Sequence, residues 1–339
     1  MKTPIFYGGQ EELFLATINE KTYSQIILLA DANSNGFCVN VLKKYIPAFS
    51  TASLIIIPQG ETHKSLESCS LIWSQLAQLN ADSSSLIMNV GGGMVSDIGG
   101  FAASVYKRGI DMINIPTTLL AMVDACYGGK NGIGFNGVKN AIGTFRHPAA
   151  IYINTDFLKT LDQRILNSGI AECLKHALIT SETLWNEVSH YNADDFFTEK
   201  NIRRFLEIKA DIADQDPDDQ GIRQTLNFGH SIGHAIESFS NQTGHPLFHG
   251  EAVYLGMLYE LKLSEVIYQL PSSVFEDLKK IGEKIFNGLP ASFAFSELEP
   301  FLLQDKKNKG GIRMSLLRAV GNCSYQTLVT MEQVRNQFQ

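Results

Sequence analysis

Residues 86–97 read LIMNVGGGMVSD. An apolar run of five, then three glycines, then a helix-like run, is the pattern of a short buried strand turning into a helix. Glycines at such a turn let the backbone approach an anion closely. The helix N-terminus behind them supplies free N–H groups and a partial positive charge. The pyrophosphate of a dinucleotide suits that arrangement. The spacing is not GxGxxG, and a structural turn uses glycines in the same way, so the motif alone does not name a ligand.

On either side of this stretch the pattern repeats. IILLA (26–30) ends in Asp31, Ala32 and Asn33; LIII (54–57) runs into PQGETHKS (58–65) and an amphipathic run over 66–79; MINIP (112–116) runs into Thr117, Thr118 and LLAMV. Short apolar strands alternating with helical runs predict an α/β unit built on a parallel sheet with helices on both faces. Ligands of such sheets sit at the carboxyl ends of the strands, where Asp31 and Asn33 are placed to hold a ribose hydroxyl.

Residues 123–145, VDACYGGKNGIGFNGVKNAIGTF, carry Asp124, Lys130, Lys139 and Asn140 in a glycine-rich stretch with little other charge. We expect a loop able to wrap a phosphate, packed through Ile133, Val138 and Ile142. Arg108 ends the helix before the strand at 112–116, where a cation suits the helix C-terminus. After IYIN (151–154) the chain is predicted helical until near its end. LDQRILNSGIAECLKHALI sets Glu172 and Lys175 on one face, and a glutamate turned inward is rare unless paired or metal-bound. Lys209 lies in another helical run, FLEIKADIADQ. NADDFFTEKN (192–201) is expected as a surface loop. Asp305, Lys306, Lys307, Asn308 and Lys309 form a basic turn ahead of a strand-like IRMSLL.

The second informative stretch is residues 223–251, RQTLNFGHSIGHAIESFSNQTGHPLFHGE. Taken as one helix, its first half stacks Arg223, Asn227, His230 and His234 on one face, because a helix turns once per ~3.6 residues. His249 follows fifteen residues after His234. Three histidines joined by a returning turn predict a divalent-metal site, with Glu172 as the third protein ligand beside His230 and His249.

The 339 residues, 44% hydrophobic and 19% charged, predict one large or two ordinary domains, placed at 1–148 (nucleotide-binding) and 149–339 (helical, metal- and substrate-binding). A net charge of -7 and the absence of a basic run exclude a nucleic-acid surface. No apolar run reaches the ~20 residues of a membrane span. Five scattered cysteines without a CxxC, and an N-terminus without an apolar h-region, give a cytoplasmic location as the expectation.

IPQGETHKS, GGGMVSD, YKRG, PTTLLAMVD, GGK, VKNAIG, SGIAECLKH, LNFGHSIGHAIE, HGEAV and DKKN stand in the order seen in the 3-dehydroquinate synthases, and the chain resembles that family from about Asp31 to Asn308. The resemblance implies a nucleotide-binding α/β domain followed by an all-α metal-binding domain, a site in the cleft between them, and a homodimer. It implies conversion of 3-deoxy-D-arabino-heptulosonate 7-phosphate to 3-dehydroquinate and phosphate, in the shikimate pathway to the aromatic amino acids. NAD serves as a transient oxidant that is returned unchanged. Zinc (cobalt also serves) is held at Glu172, His230 and His249 as a Lewis acid. By motif, Lys130, Asn140, His234 and Lys306 or Lys307 match phosphate-binding positions. Arg108 matches an arginine that enters the partner's site, and Asp124, Lys175, Lys209, Arg223 and Asn227 match substrate contacts. Asp31, Asn33, Glu61, Lys64, Gly92, Gly93, Asp97, Thr117, Thr118, Lys139 and Thr160 match NAD contacts. His234, Asp219, Lys130 and Lys175 are the implied catalytic set.

Two departures from the family pattern stand out. Asp219 replaces the usual glutamate four residues before Arg223, and ACYGGKN, with Cys126, Tyr127 and Asn131, replaces SSxGGKT. Cyclases acting on other sugar phosphates, and NAD- and metal-dependent polyol dehydrogenases of similar fold, are the alternative readings. The matches at Asn140, Arg223 and Asn227 favour the dehydroquinate reading over the first. The lysine set favours a phosphorylated substrate over the second.

Overall fold

The computed structural model describes residues 2–136, 138–290, 292–303 and 311–338. It divides into two compact units, Met1–Asp162 and Gln163–Gln339.

The first unit is built on a six-stranded, wholly parallel sheet of β1 (Ile5–Tyr7), β2 (Ile26–Asp31), β3 (Ser53–Ile57), β4 (Leu86–Gly91), β5 (Asp111–Pro116) and β8 (Ala150–Ile153), in the order β1-β8-β5-β4-β2-β3. The predicted strands at 26–30, 54–57, 86–90, 112–116 and 151–154 are all in it. Their residues are apolar because both faces of the central strands are covered, and every residue of β4 is buried. The chain leaves β2 for edge strand β3 and returns to β4 on the other side of β2. The connections therefore diverge at the carboxyl ends of β2 and β4, opening a crevice there. Helix α1 (Leu66–Gln78) leads into β4, and helix α2 (Gly93–Val105) follows it. Ile72, Leu76, Ile98 and Phe101 from these helices pack on Leu29 and Ile87 of the sheet.

The glycine-rich stretch expected as a loop is mostly strand. β6 (Lys130–Phe135) and β7 (Val138–Phe145) pair antiparallel as a separate hairpin. Of the three apolar residues expected to pack it, only Ile133 is buried; Val138 and Ile142 are exposed. Glycine and asparagine hide a strand from propensity reasoning, and here cross-strand pairing overrides it.

The second unit is mainly helical. It includes α3 (Gln163–Thr180), α4 (Glu199–Gln215), α5 (His230–Gln242) and α6 (His249–Tyr268), and an antiparallel hairpin of β9 (Ile312–Ala319) and β10 (Asn322–Val329). That hairpin adds β structure to a unit expected as all-α, and it contains the strand-like IRMSLL. The polar run at 192–201 is not a free loop: a 3-10 turn over Ala193–Phe197 buries Phe196, and Thr198 caps α4.

The segment at 223–236 is not one helix. A 3-10 turn spans Ile222–Asn227, the chain breaks at Phe228 and Gly229, and α5 starts at His230. Gly229 has φ +81, and a Cβ there would meet Met257 Cγ at 2.4 Å. Only glycine serves both demands. Consequently Arg223 is buried while Asn227 is exposed, and the two do not share a stripe. No described helix is long and apolar enough to cross a membrane.

Candidate functional site

α3 presents Glu172, α5 presents His230 at its first position, and α6 presents His249 at its first position. Glu172 Oε1 lies 3.5 Å from Nε2 of His230 and 3.5 Å from Nε2 of His249. Donors held ~2.1 Å from a tetrahedral ion stand about 3.4 Å apart, so one carboxylate oxygen and two imidazole nitrogens are spaced to fit a zinc-sized cation. His234, one turn along α5, has its ring 5.3 Å from that of His230 and 5.9 Å from that of His249, and it is exposed.

Each of these side chains is oriented by a neighbour. Nδ1 of His230 faces the Phe228 carbonyl at 3.1 Å, and Nδ1 of His249 faces Glu237 Oε2 at 3.3 Å. A proton on each Nδ1 leaves Nε2 as the lone-pair nitrogen a cation needs, the usual outer arrangement of a metal-binding histidine. The start of α6 is clamped in turn. Arg164 donates from Nε and Nη2 to the two oxygens of Glu251 at 2.6 and 2.7 Å, and Glu251 also accepts from the Phe248 N–H at 2.8 Å. Gly250 is glycine because a Cβ would strike the Ser168 carbonyl of α3 at 1.7 Å. That close approach brings His249 within reach of Glu172.

Glu172 and Lys175 are both buried and form an ion pair. Burial, with Lys175 adding to it, holds His230 well below the ordinary imidazole range, so the ring is neutral. Burial would lower His249 as well, but hydrogen bonds to Glu172 and Glu237 outweigh it and raise the ring to about 10. A cation taking Nε2 of His249 must displace that proton. Proton and cation compete for one atom, so affinity rises as pH rises below that value. We expect about a tenfold gain per pH unit from about pH 7 to about pH 9, with ~1 proton released per ion. Titration calorimetry in buffers of different ionisation enthalpy checks this; a pH-independent affinity would exclude it.

Two more of the expected substrate residues of this unit are cations held inside. Lys209 on α4 and Arg223 in the 3-10 turn are buried. Arg223 Nη1 donates to the Pro217 carbonyl at 3.0 Å, and its backbone N–H donates to Asp216 Oδ2 at 3.0 Å. Asp216 also accepts from the N–H groups of Gln220 and Gly221 at 3.0 and 2.7 Å. It therefore shapes the loop before Arg223, a part sequence reasoning did not give it. Asp219 is half-buried with φ 57, and its carbonyl accepts from Gln224 at 3.0 Å. Asp216 fixes the backbone of this turn, and the family resemblance assigns the Asp219 side chain to the substrate. Asp219→Ala should lose well over tenfold in turnover with normal folding and zinc content, whereas the exposed Asp218→Ala should be neutral. Equal turnover of parent and Asp219→Ala would remove Asp219 from the site. Lys306 and Lys307 lie outside the described residues.

In the first unit the expected cofactor residues gather at the carboxyl ends of the strands. Asp31 ends β2 and accepts the Ser34 N–H at 2.7 Å, with Asn33 exposed in the same turn. Gly92 caps α2 with no capping side chain, and Gly93 is its first residue. Thr117, after β5, donates its N–H to the Gly91 carbonyl at 2.9 Å, and Thr118 Oγ1 accepts from Ala121 at 3.2 Å. Lys64 Nζ donates to Asp97 at 2.5 Å and to Asn140 Oδ1 at 2.7 Å, and Glu61 is 3.6 Å away. Burial works against that ammonium, but Asp97 and then Glu61 outweigh it and hold it charged. Asn140, expected with the phosphate, thus lies beside the cofactor residues Lys64 and Asp97; Lys139 precedes it. Thr160 is exposed, and its hydroxyl donates to Phe157 at 3.3 Å. Lys130 begins β6 and is exposed, and Asp124 is half-buried in a turn over Ala121–Ala125. Asn114 braces that turn by donating to the Cys126 carbonyl at 3.1 Å, and Asn89 donates to Asn114 at 2.9 Å. The α2 helix ends at Val105, and Arg108 follows in a 3-10 turn, exposed with φ 65.

The two departures in ACYGGKN have structural places. Asn131 donates to the carbonyls of Gly129 and Arg146 at 2.8 and 2.9 Å, tying the hairpin's base. Tyr127 is buried edge-on to His147 with ring centroids 6.5 Å apart. None of the five cysteines is in a disulfide.

Known proteins match along most of the chain. The 3-dehydroquinate synthase N-terminal family model matches residues 54–168, and the C-terminal model matches 169–308. A 3-dehydroquinate synthase of Parabacteroides distasonis is 40% identical over 320 residues, spanning 92% of this chain and 90% of that protein. One of Clostridium tetani is 41% identical over 283 residues, spanning 81% and 74%. A 2-deoxy-scyllo-inosose synthase solved with carbaglucose-6-phosphate, NAD+ and Co2+ shares the fold at TM-score 0.85 and 23% identity, covering 98% of this chain and 95% of that one. With adjoining family-model matches over residues 54–308 and two relatives at 40% and 41% identity in agreement, the chain belongs to the 3-dehydroquinate synthase family.

Proposed function

We propose that this chain is a 3-dehydroquinate synthase, taking 3-deoxy-D-arabino-heptulosonate 7-phosphate to 3-dehydroquinate and phosphate with NAD and a divalent cation. The observation that carries the reading is the trio Glu172, His230 and His249 in a chain of this family. The cation supplies Lewis acidity toward a substrate hydroxyl, and NAD supplies a hydride acceptor that is restored before release. Zinc or cobalt suits a site of two imidazoles and one carboxylate.

The chain's own groups bind and orient. Lys175 holds Glu172 in place and offers a cation toward the substrate. Lys209 and Arg223 are buried cations in the same unit and favour an anionic substrate, one bearing a carboxylate and a phosphate. His234 is exposed beside the ligand cluster and suits a proton carrier or phosphate contact. Asp219, Asn227, Asp124, Lys130, Asn140, Lys306 and Lys307 are proposed as the remaining substrate contacts. Asp31, Asn33, Glu61, Lys64, Gly92, Gly93, Asp97, Thr117, Thr118, Lys139 and Thr160 are proposed for NAD. Free thiols without a CxxC fit a cytoplasmic setting.

The experiment is phosphate release from the heptulosonate phosphate, from sedoheptulose 7-phosphate and from glucose 6-phosphate. Release from the first alone supports the reading; release from either of the others assigns a different cyclase.

A homodimer with Arg108 acting in the partner's site is part of this proposal. Its exposed place past the end of α2 supports it. Mixing inactive Arg108→Ala with inactive His234→Ala chains, with subunit exchange verified, should restore activity in hybrid sites. No recovery would return Arg108 to its own subunit.

A further inference from the structure

Glu260 lies in the middle of α6 and is fully buried. A carboxylate in that position needs partners, and it finds them on another helix. Its Oε2 accepts the Gly229 N–H at 2.6 Å, and its Oε1 accepts the Ile232 N–H at 3.2 Å. Gly229 is the cap residue of α5, and that helix has no capping side chain of its own. The four leading N–H groups of a helix need acceptors, and an anion there is further favoured by the helix dipole. Glu260 meets both needs from 28 residues further along the chain than Ile232.

The two N–H groups it holds lie on either side of His230. The ring of that residue is oriented through Nδ1 by the Phe228 carbonyl and faces Glu172 through Nε2. A shift of the Gly229–Ile232 backbone would move Nε2 of His230 away from Glu172. The segment begins at a break between a 3-10 turn and an α-helix, where the helix N-terminus needs acceptors from outside.

We propose that Glu260 is a positioning residue for the metal centre: it caps α5 from α6 and fixes the backbone that aims His230 at the ion. It acts through His230 and touches neither ion nor substrate. The inference rests on the metal reading given above.

Glu260→Gln keeps the shape but turns an NH2 toward one of the two N–H groups. Residues that orient metal ligands typically change affinity 10–100-fold. Cobalt(II) affinity by chelator competition should therefore weaken ~10–100-fold in Glu260→Gln. The cobalt d–d absorption, which reports ligand geometry, should shift. The control for lost stability alone is Ser264→Ala, one turn further along α6. Its buried hydroxyl donates to the Glu260 carbonyl at 2.7 Å and accepts from Leu317 at 3.1 Å, away from α5. Ser264→Ala should lower the unfolding midpoint yet leave cobalt affinity and spectrum as in the parent.

If Glu260→Gln fails to fold, Glu260→Asp, which keeps the charge but is one methylene shorter, is expected to show the same weakened affinity and shifted spectrum. A parent that binds cobalt with Glu260→Gln matching it in affinity and spectrum would overturn this inference alone. So would Ser264→Ala weakening cobalt equally. A parent that binds no cobalt would overturn the metal reading and this inference with it.

Discussion

His230→Ala loses bound zinc and phosphate release together while still binding NAD. Two imidazoles and a carboxylate are the protein's ligands in this reading, and the Glu172 oxygen is equally close to both histidines. Removing one leaves two donors and places the buried Glu172–Lys175 pair beside an empty corner. Altering residues behind such ligands costs 10–100-fold in affinity, so losing a ligand itself costs more. A Lewis acid contributes several kcal/mol to the stabilised charge, which is about a thousandfold or more in rate. Metal analysis and phosphate release on the purified variant check both. One retained equivalent of zinc, or a tenth of the parent's rate, contradicts the assignment.

Gly92→Asp abolishes NAD binding and leaves zinc content intact. Gly92 has φ -74, which any residue adopts, and an added Cβ would approach Thr118 Cγ2 at 3.2 Å, a contact that small adjustments absorb. An aspartate is moreover a good N-cap, worth a few tenths of a kcal/mol over glycine, so α2 should not be harmed. What changes is the charge. A carboxylate would take the N–H groups proposed for the pyrophosphate and repel it. We expect at least a ~100-fold weaker NAD affinity, about 3 kcal/mol, and no turnover. Unchanged NAD affinity would move the cofactor away from this turn. Paired with His230→Ala, the variant separates the two functions: each should lose one cofactor and keep the other.

The sheet was readable because its central strands are buried on both faces and spell apolar runs; β2, β4, β5 and β8 follow that rule, and edge strand β3 spells such a run although Ile56 is exposed. β6 and β7 do not. Half of their residues are glycine, asparagine and lysine, and their pairing is set by register across the hairpin rather than by composition. The break at Gly229 was equally hidden. RQTLNFGHSIGHAIE keeps a helical period through it, and the left-handed turn is demanded by Met257 and Val253, more than twenty residues away. The grouping of Glu172, His230 and His249 does not depend on that break, because His230 and His249 each open a helix that begins after it.

Glu237 was within reach of the sequence, since it stands seven residues after His230 and three after His234, on the same face of α5. Asp216, Asn114 and Glu260 were not. Each acts on backbone groups that its own neighbourhood does not reveal, and Glu260 reads as one polar residue in an otherwise apolar helix until α5 is packed beside it.

The central claim is a cyclase that uses NAD without consuming it, and one assay addresses it. Purified enzyme with zinc, NAD and the heptulosonate phosphate is followed for phosphate and for 340 nm absorbance together. The account predicts phosphate in amounts far above the enzyme, strict dependence on NAD, and a flat absorbance trace. NADH accumulating with turnover, or no phosphate at all, would contradict it.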